Sequence, residues 1–277
     1  MVLWSTGFVA ARYATRDTGP VTFLAVRMAL ASVLLALVAA QRSAPRVERR
    51  LVPWVVLAGI GMHVLYLGGV FVAIDRGLPS GVSALIAGLH PVITALASRR
   101  VLGERLIRLQ WVGVGLGFAG VLAVVVDRLA SGSSGVTAMT MVASAISVLG
   151  MAGGTLVQRK KCSTMPLLWG TVLQYASAAV VMAVLALSWE RIDFRMTGRS
   201  LFALLWAVVV LSIAAVLLML WLLQRRAASQ VTSLFFLTPA LSAVEGAVLF
   251  GERLGALAIV GLLISLLGVA FVTRKAI

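Results

Sequence analysis

Gly88–Val124 reads GLHPVITALASRRVLGERLIRLQWVGVGLGFAGVLAV, and Phe236–Val272 reads FLTPALSAVEGAVLFGERLGALAIVGLLISLLGVAFV. The two align without a gap at an offset of 148 (236 − 88 = 148). Leu89, Pro91 and Ala95 recur as Leu237, Pro239 and Ala243. Gly103-Glu104-Arg105-Leu106 recurs as Gly251-Glu252-Arg253-Leu254. Leu109, Val112, Gly113, Gly120, Val121 and Val124 recur as Leu257, Val260, Gly261, Gly268, Val269 and Val272. Shared Ala, Leu and Val arise easily in an apolar chain, but a Pro, three Gly and an intact GERL do not. The chain is an internal duplication.

Of 277 residues, 61% are hydrophobic and 12% charged, with a mean hydropathy of +1.06. A soluble protein needs far more charge to cover its surface, so the composition is that of an all-α polytopic membrane protein. The net charge of +15 invites a nucleic-acid partner. No basic domain carries it, however. The charges fall in short breaks between apolar runs, where they bear on topology. The single cysteine, Cys162, excludes an intrachain disulfide.

Ten apolar segments stand between charge, Gly or Pro: 1–15, 20–40, 53–74, 79–98, 107–126, 136–157, 166–188, 200–223, 228–250 and 255–273. A bilayer span needs ~20 residues, and most of these qualify. The first run has only 11 residues ahead of Arg12. Either Arg12 snorkels outward or the span is shortened at its N-terminus, and we expect the latter. No basic stretch precedes this run, as a cleavable signal peptide would require.

Five segments precede the polar break Ser131-Gly132-Ser133-Ser134-Gly135 and five follow it. We therefore expect one five-helix repeat at residues 1–130 and a second at 136–277. An odd number of spans per repeat puts the two in opposite orientations, as two inverted five-helix repeats. Placing both termini in the cytoplasm leaves 15 basic residues inside, among them Arg42, Arg46, Arg49, Arg50, Arg99, Arg100, Arg159, Lys160 and Lys161. Eight lie outside: Arg12, Arg16, Arg76, Arg128, Arg191, Arg195, Arg199 and Arg253. Six of nine acids also fall outside: Asp17, Asp75, Asp127, Glu190, Asp193 and Glu252. The positive-inside rule favours this orientation. Arg99, Arg100 and Arg108 around the first GERL have neutral counterparts, Ala247, Val248 and Ala256, around the second.

The doubled LHPVITALASRRVLGERL and LTPALSAVEGAVLFGERL, each followed by a Gly-studded helix, resemble the EamA-type drug/metabolite transporter superfamily. Leu3-Trp4-Ser5-Thr6-Gly7-Phe8-Val9, Arg27 and Gly77-Leu78-Pro79 fit the same pattern. The resemblance covers essentially the whole chain. It implies a ten-helix secondary transporter of the bacterial inner membrane and leaves the substrate open, since members move amino acids, sugars, nucleotide precursors and drugs. Two features depart from the family: its first helix usually starts earlier, and it often has Gln where this chain has His90.

Pro91 and Pro239 fall near mid-span, where each frees a carbonyl one turn earlier and bends its helix. A kink of this kind serves packing alone or borders a cavity. Ser83, Ala87, His90 and Thr94 share one helix face. Thr238, Ser242 and Glu245 continue the equivalent face in the twin. Two polar faces at mid-membrane suit a substrate path between repeats, to which His63, Tyr66 and Trp4 also contribute. Buried ionisable groups are costly in a bilayer and mark functional candidates: Arg27, His63, His90 and Glu245. Arg27 and Glu245 lie roughly 8–11 Å below the outer interface by helical rise. Their opposite signs predict a pair, against the alternatives of a static bridge or a snorkelling Arg27. His63 also reads as a hydrogen-bonded packing residue. For proton exchange, His90 and Glu245 are the expected carriers.

The GERL residues Gly103, Glu104, Arg105, Gly251, Glu252 and Arg253 read as helix breaks and turns at the water boundary, without chemistry. Gly113, Gly117 and Gly120, with Gly261, Ser265 and Gly268, predict a close helix seam inside the monomer, the alternative being a homodimer face. Trp54, Trp111, Trp169 and Trp189 read as interface anchors, and Gln174 and Tyr175 as further amide and aromatic contacts.

No HExxH, G-x-S-x-G or metal-ligand spacing supports an intramembrane enzyme, so no metal or cofactor is expected. No phosphate-binding G-x-x-x-x-G-K-[ST] loop supports ATP-driven transport. A non-transporting scaffold would not need ionisable groups at mid-membrane, and a channel would need a filter or charged ring. The expected function is a secondary active transporter that moves a small metabolite or drug across the cytoplasmic membrane by alternating access. We expect export in exchange for protons, with an importer or uniporter of the same fold as the alternative.

Overall fold

The computed structural model describes residues 2–103, 106–130, 135–190, 195–218, 238–252 and 255–273. Glu104, Arg105 and Arg253 lie outside these, as do the end of the eighth apolar segment and the start of the ninth. The described residues fold into helices: α1 (Val2–Ala14), α2 (Pro20–Gln41), α3 (Arg49–Asp75), α4 (Ser80–Val101), α5 (Arg108–Ala130), α6 (Ala138–Lys161), α7 (Leu167–Trp189), α8 (Gly198–Leu218), α9 (Thr238–Phe250) and α10 (Ala256–Thr273). Helices α2 to α8 are each long and apolar enough to cross a bilayer. Each helix closes its own backbone hydrogen bonds, which is what hydrocarbon demands. Val180, Leu187 and Val248 are 66–76% exposed, a pattern that suits a lipid-facing surface.

Helix contacts come in matched sets. Three pairs are related by the repeat to themselves: α2 with α7, α4 with α9, and α5 with α10. Two more are related to each other: α3 packs on α6 as α8 packs on α1, and α6 meets α4 as α1 meets α9. Two inverted five-helix repeats thus share one pseudo-symmetric bundle.

Glycine decides the closest crossings. A Cβ on Gly113 would stand 2.6 Å from the Gly268 carbonyl oxygen, and one on Gly268 would stand 2.6 Å from that of Gly113. Only glycine admits such an approach, so the small-residue stripes of α5 and α10 form a seam inside the monomer. Helices α3 and α6 repeat the device. A Cβ on Gly61 would stand 2.8 Å from both the Gly150 carbonyl oxygen and the Gly154 Cα.

One end of the bundle gathers the starts of α2, α4, α6, α8 and α10; the first four are capped, and a carboxylate stands beside the fifth. The Glu190 carboxylate accepts from the Val21 and Thr22 backbone N–H groups, both at 2.8 Å, at the start of α2. Glu252 does the same for α4. Thr137 and Thr140 form a reciprocal capping box on α6, and Thr197 and Ser200 form another on α8. Thr197 also donates to Asp17 at 2.7 Å. Asp127 stands where a Cβ on Gly255 would lie 2.6 Å from its Oδ2, at the start of α10. Carboxylates and hydroxyl oxygens satisfy the orphan N–H groups and oppose the positive helix ends. The opposite end carries basic residues on aromatic rings and on a carbonyl: Lys161 lies 4.8 Å from the Trp54 ring, Arg46 5.9 Å from Trp169, and Lys160 donates to the Val101 carbonyl at 2.9 Å.

Candidate functional site

Helix α4 breaks before Pro91. Its first piece runs Ser80–Ala87, Gly88 and Leu89 turn, and its second piece runs His90–Val101. Pro91 has no N–H for the Ala87 carbonyl. His90 takes over that role, with its Nδ1 3.1 Å from the Ala87 oxygen. The Thr94 hydroxyl in turn donates to the His90 carbonyl at 2.7 Å. His90 therefore repairs the proline break within its own helix. The residue expected to carry protons thus has a structural partner in its own helix as well.

The break packs on the other proline. A Cβ on Gly88 would lie 2.7 Å from Pro239 Cγ, and one on Gly81 would lie 3.1 Å from the Ala243 Cα. Ser83 and Ser242 are both buried along this contact. A void of about 10 Å³ lined by Gly81, Val82, Leu85, Val124, Ala243, Ala258 and Leu262 is too small for more than a single water. The polar stripe predicted to line a path is thus a packed α4–α9 seam in this conformation. Small residues on both helices let the backbones close over it.

The GERL turn of the second repeat does more than end a helix. Gly103 and Gly251 adopt φ of +73° and +65°, left-handed backbone that favours glycine. The Glu252 N–H then reaches back to the Gly246 carbonyl at 3.2 Å, and the Gly251 N–H to the Ala247 carbonyl at 3.1 Å, closing the end of α9. This turn swings the Glu252 side chain inward, where it is 5% exposed. Its Oε1 accepts from the Ser80 N–H and hydroxyl, each at 2.9 Å, and its Oε2 from the Gly81 N–H at 3.2 Å. Arg12 at the end of α1 completes the group as an ion pair, with its guanidinium 4.5 Å from the Phe250 ring centroid. Glu252 ties α1, α4 and α9 together, a buried contact added to its expected place in the turn that ends α9.

Between α1 and α9 lies a second polar contact. Ser242 donates its hydroxyl to the Ser5 carbonyl at 3.1 Å, and Ser5 donates to Glu245 Oε1 at 2.6 Å. Among the described residues, Glu245 Oε2 is buried without a hydrogen-bond partner, as is the Thr238 hydroxyl. Trp4, next to Ser5, is partly buried against the main core.

Arg27 and Glu245 do not pair among the described residues. Matching depth sets height in the bilayer and says nothing about position around the bundle. Helix α9 packs on α1 and α4, whereas α2 packs on α7 and α8. Arg27, 6% exposed, instead donates through Nε to the Ser212 hydroxyl at 3.3 Å, and Ser212 donates to the Ala207 carbonyl at 2.9 Å. Tyr66, Tyr175 and His63 are its electrostatic neighbours. His63 meets the Tyr175 ring edge-on at 4.8 Å between centroids. Its Nε2 is buried outside hydrogen-bond geometry to the described residues. Beside it, Gln174 donates to Gln158 at 3.0 Å.

Two π-helical turns frame this cluster. Ile60–Leu65 in α3 carries His63, and Trp206–Ala214 in α8 carries Ser212. They are repeat equivalents (60 + 148 = 208; 65 + 148 = 213). So are Arg27 and Tyr175 themselves (27 + 148 = 175). Tertiary structure thus joins the separately predicted Arg27, His63, Tyr66 and Tyr175, and adds Ser212 and Gln158. Neither addition is distinguishable in the sequence from other small polar residues, although the 148-residue offset between Arg27 and Tyr175 was available.

The EamA-like transporter family profile matches residues 1–126 and again residues 138–274. The Bacillus subtilis protein named "Uncharacterized transporter YvbV" is 24% identical over 99% of this chain and 89% of its own length. The Escherichia coli "Uncharacterized inner membrane transporter YedA" is 23% identical over 98% and 87%. The Escherichia coli "Probable amino-acid metabolite efflux pump" is 23% identical over 97% and 90%. A solved crystal structure at 19% identity superposes with a TM-score of 0.69 over 97% of this chain and 92% of the other, which speaks to the fold. Two matched repeats, apolar helices and transporter relatives lead to one statement: this multi-pass membrane chain belongs to the EamA-like transporter family.

Proposed function

We propose that the protein is a secondary exporter of a small metabolite that works by alternating access and exchanges its substrate for protons through Glu245. The observation that carries the reading is the contact of α1 with α9, one helix from each half. There Glu245 meets Ser5 with one oxygen and buries the other without a partner. A carboxyl in that position can gain or lose a proton as the two halves separate, and its charge is costly while they are closed. Glu252 and Arg12 tie these two helices to α4 at the capped end, and we take that end as a closed outer gate. Basic residues crowd the opposite end, and the positive-inside tendency supports a cytoplasmic position for that end and both termini in a bacterial inner membrane. The α5 and α10 glycines are occupied within the chain, which supports a monomer as the working unit.

The relative named an amino-acid metabolite efflux pump suggests amino acids and their derivatives as first probes. Proteoliposomes loaded with such a panel should show saturable flux that collapses when the proton gradient is dissipated. Glu245→Gln should lose the gradient dependence. Flux indifferent to the gradient, or unchanged coupling in Glu245→Gln, would overturn proton exchange.

A further inference from the structure

Arg27 is a buried guanidinium in a span that offers it no carboxylate. Burying a cation at membrane depth costs several kcal/mol unless a counter-charge meets it. One neutral hydroxyl at 3.3 Å, the Ser212 bond, uses one of its five N–H donors. The chain has only nine acids. Seven are described, and all are placed elsewhere: Asp17 on Thr197, Glu48 on Arg50, Asp75 beside Arg76, Asp127 at the start of α10, Glu190 on α2, Glu245 on Ser5, and Glu252 on α4 and Arg12. The other two, Glu104 and Asp193, belong in sequence to the connections after α4 and α7.

What surrounds Arg27 is a set of neutral polar groups. Tyr66 and Tyr175 bring hydroxyls, which donate or accept, and that of Tyr175 meets Ser212. His63 is buried in the same cluster beside Gln174, with its Nε2 outside hydrogen-bond geometry to the described residues. Both π-helical turns border this cluster, and such turns are often found at functional sites because they displace side chains from the helical register. Arg27 and Tyr175 are repeat equivalents, so the cluster straddles the pseudo-symmetry axis between the halves. Inverted-repeat transporters bind their cargo at such a place.

We propose that Arg27, with Tyr66, Tyr175 and His63, forms the subsite that binds one carboxylate group of the transported molecule. This rests on the transport reading above and names the class of cargo. A planar guanidinium matches a carboxylate in a bidentate pair. The charge count selects a monoanion. One carboxylate neutralises Arg27, whereas a phosphate dianion would leave a net buried negative charge. While cargo is bound the charge is cancelled, and when it leaves an uncompensated cation remains.

Thermal unfolding of the purified chain in detergent tests this with matched probes: benzoate against benzamide, phenylacetate against phenylacetamide, L-leucine against L-leucinamide, and inorganic phosphate as the dianion. At least one carboxylate should raise the melting temperature by several degrees while its amide does not. Arg27→Gln should abolish that increment and Arg27→Lys should reduce it. Tyr175→Phe and His63→Gln keep the charge, and each should weaken apparent affinity by about tenfold, the worth of one hydrogen bond to a charged group. These two variants carry the test if Arg27→Gln does not fold. A residue that only packs would lower the ligand-free melting temperature and leave the ligand increment intact. That result overturns the proposal, as do equal stabilisation by acid and amide, stabilisation by phosphate alone, or no stabilisation by any carboxylate. Flux in proteoliposomes separates this from the transport reading. A carboxylate that binds through Arg27 but never crosses overturns transport and keeps the subsite. Flux unaltered in Arg27→Gln does the reverse.

Discussion

At the residue scale, three polar side chains take their roles from what they touch. Glu252 holds the N-terminus of α4 and Arg12 with a side chain almost wholly enclosed. Glu252→Gln keeps the shape and removes the charge, and it should cost about 2 kcal/mol, the scale of a charged hydrogen bond lost in a buried place. A drop of several degrees in melting temperature, matched by Arg12→Gln and not deepened in the double variant, would show that the two act as one unit. His90 satisfies the carbonyl that Pro91 frees. An amide can donate there too, so His90→Gln should keep both stability and gradient-dependent flux. His90→Ala should lose about 1 to 2 kcal/mol by leaving the Ala87 oxygen without a donor. Cys162 follows the last residue of α6 and is 4% exposed. Burial pushes its thiol above the ordinary cysteine value, so less thiolate is present at any given pH. Maleimide should therefore modify it much more slowly than a free thiol at pH 8, and denaturant should restore the ordinary rate.

Helices obey a harder constraint, because the small-residue seams leave no slack. Gly268→Leu would drive a side chain into the backbone of α5, where a Cβ alone already stands 2.6 Å from the Gly113 oxygen. The cost should be about 2 to 3 kcal/mol of overpacking, or failure to fold. Gly115 lies on the same helix as Gly113 with nothing near its Cβ position, so Gly115→Ala should leave the melting temperature unchanged or slightly raised. A comparable loss from both variants would argue that glycine serves helix flexibility here and not close approach. The same spacing logic was legible for α5 and α10. It holds for α3 and α6 too, where Gly150 and Gly154, at the same four-residue spacing in α6, meet Gly61.

Across the whole molecule, the acids reveal a division of labour between the two ends. The sequence-level count put six acids on one side and read them as topology signals. In the fold, Glu190, Glu252, Asp127 and Asp17 sit at or beside the starts of α2, α4, α10 and α8. The acids counted for topology thus also stand at helix starts. In a variant whose Cys162 is replaced by Ser, Gly198→Cys at the capped end should react with an impermeant maleimide on intact cells. Ser43→Cys at the basic end should react only after permeabilisation. The reverse pattern would invert the proposed orientation.

The sequence by itself determined the duplication, the helical class, the number of apolar segments and the family resemblance. All of these follow from hydropathy and spacing along one dimension, which the bilayer reads directly. Depth in the membrane was legible in the same way, and so were Arg27, His63, His90 and Glu245 as costly residues. Only the tertiary structure decided which of them meet. Helical rise fixes a residue's height, but its neighbours depend on how ten helices are arranged around the bundle. That arrangement separates Arg27 from Glu245, gathers Arg27 with His63, Tyr66 and Tyr175 around two π-helical turns, and swings Glu252 from a turn into the joint between α1, α4 and α9.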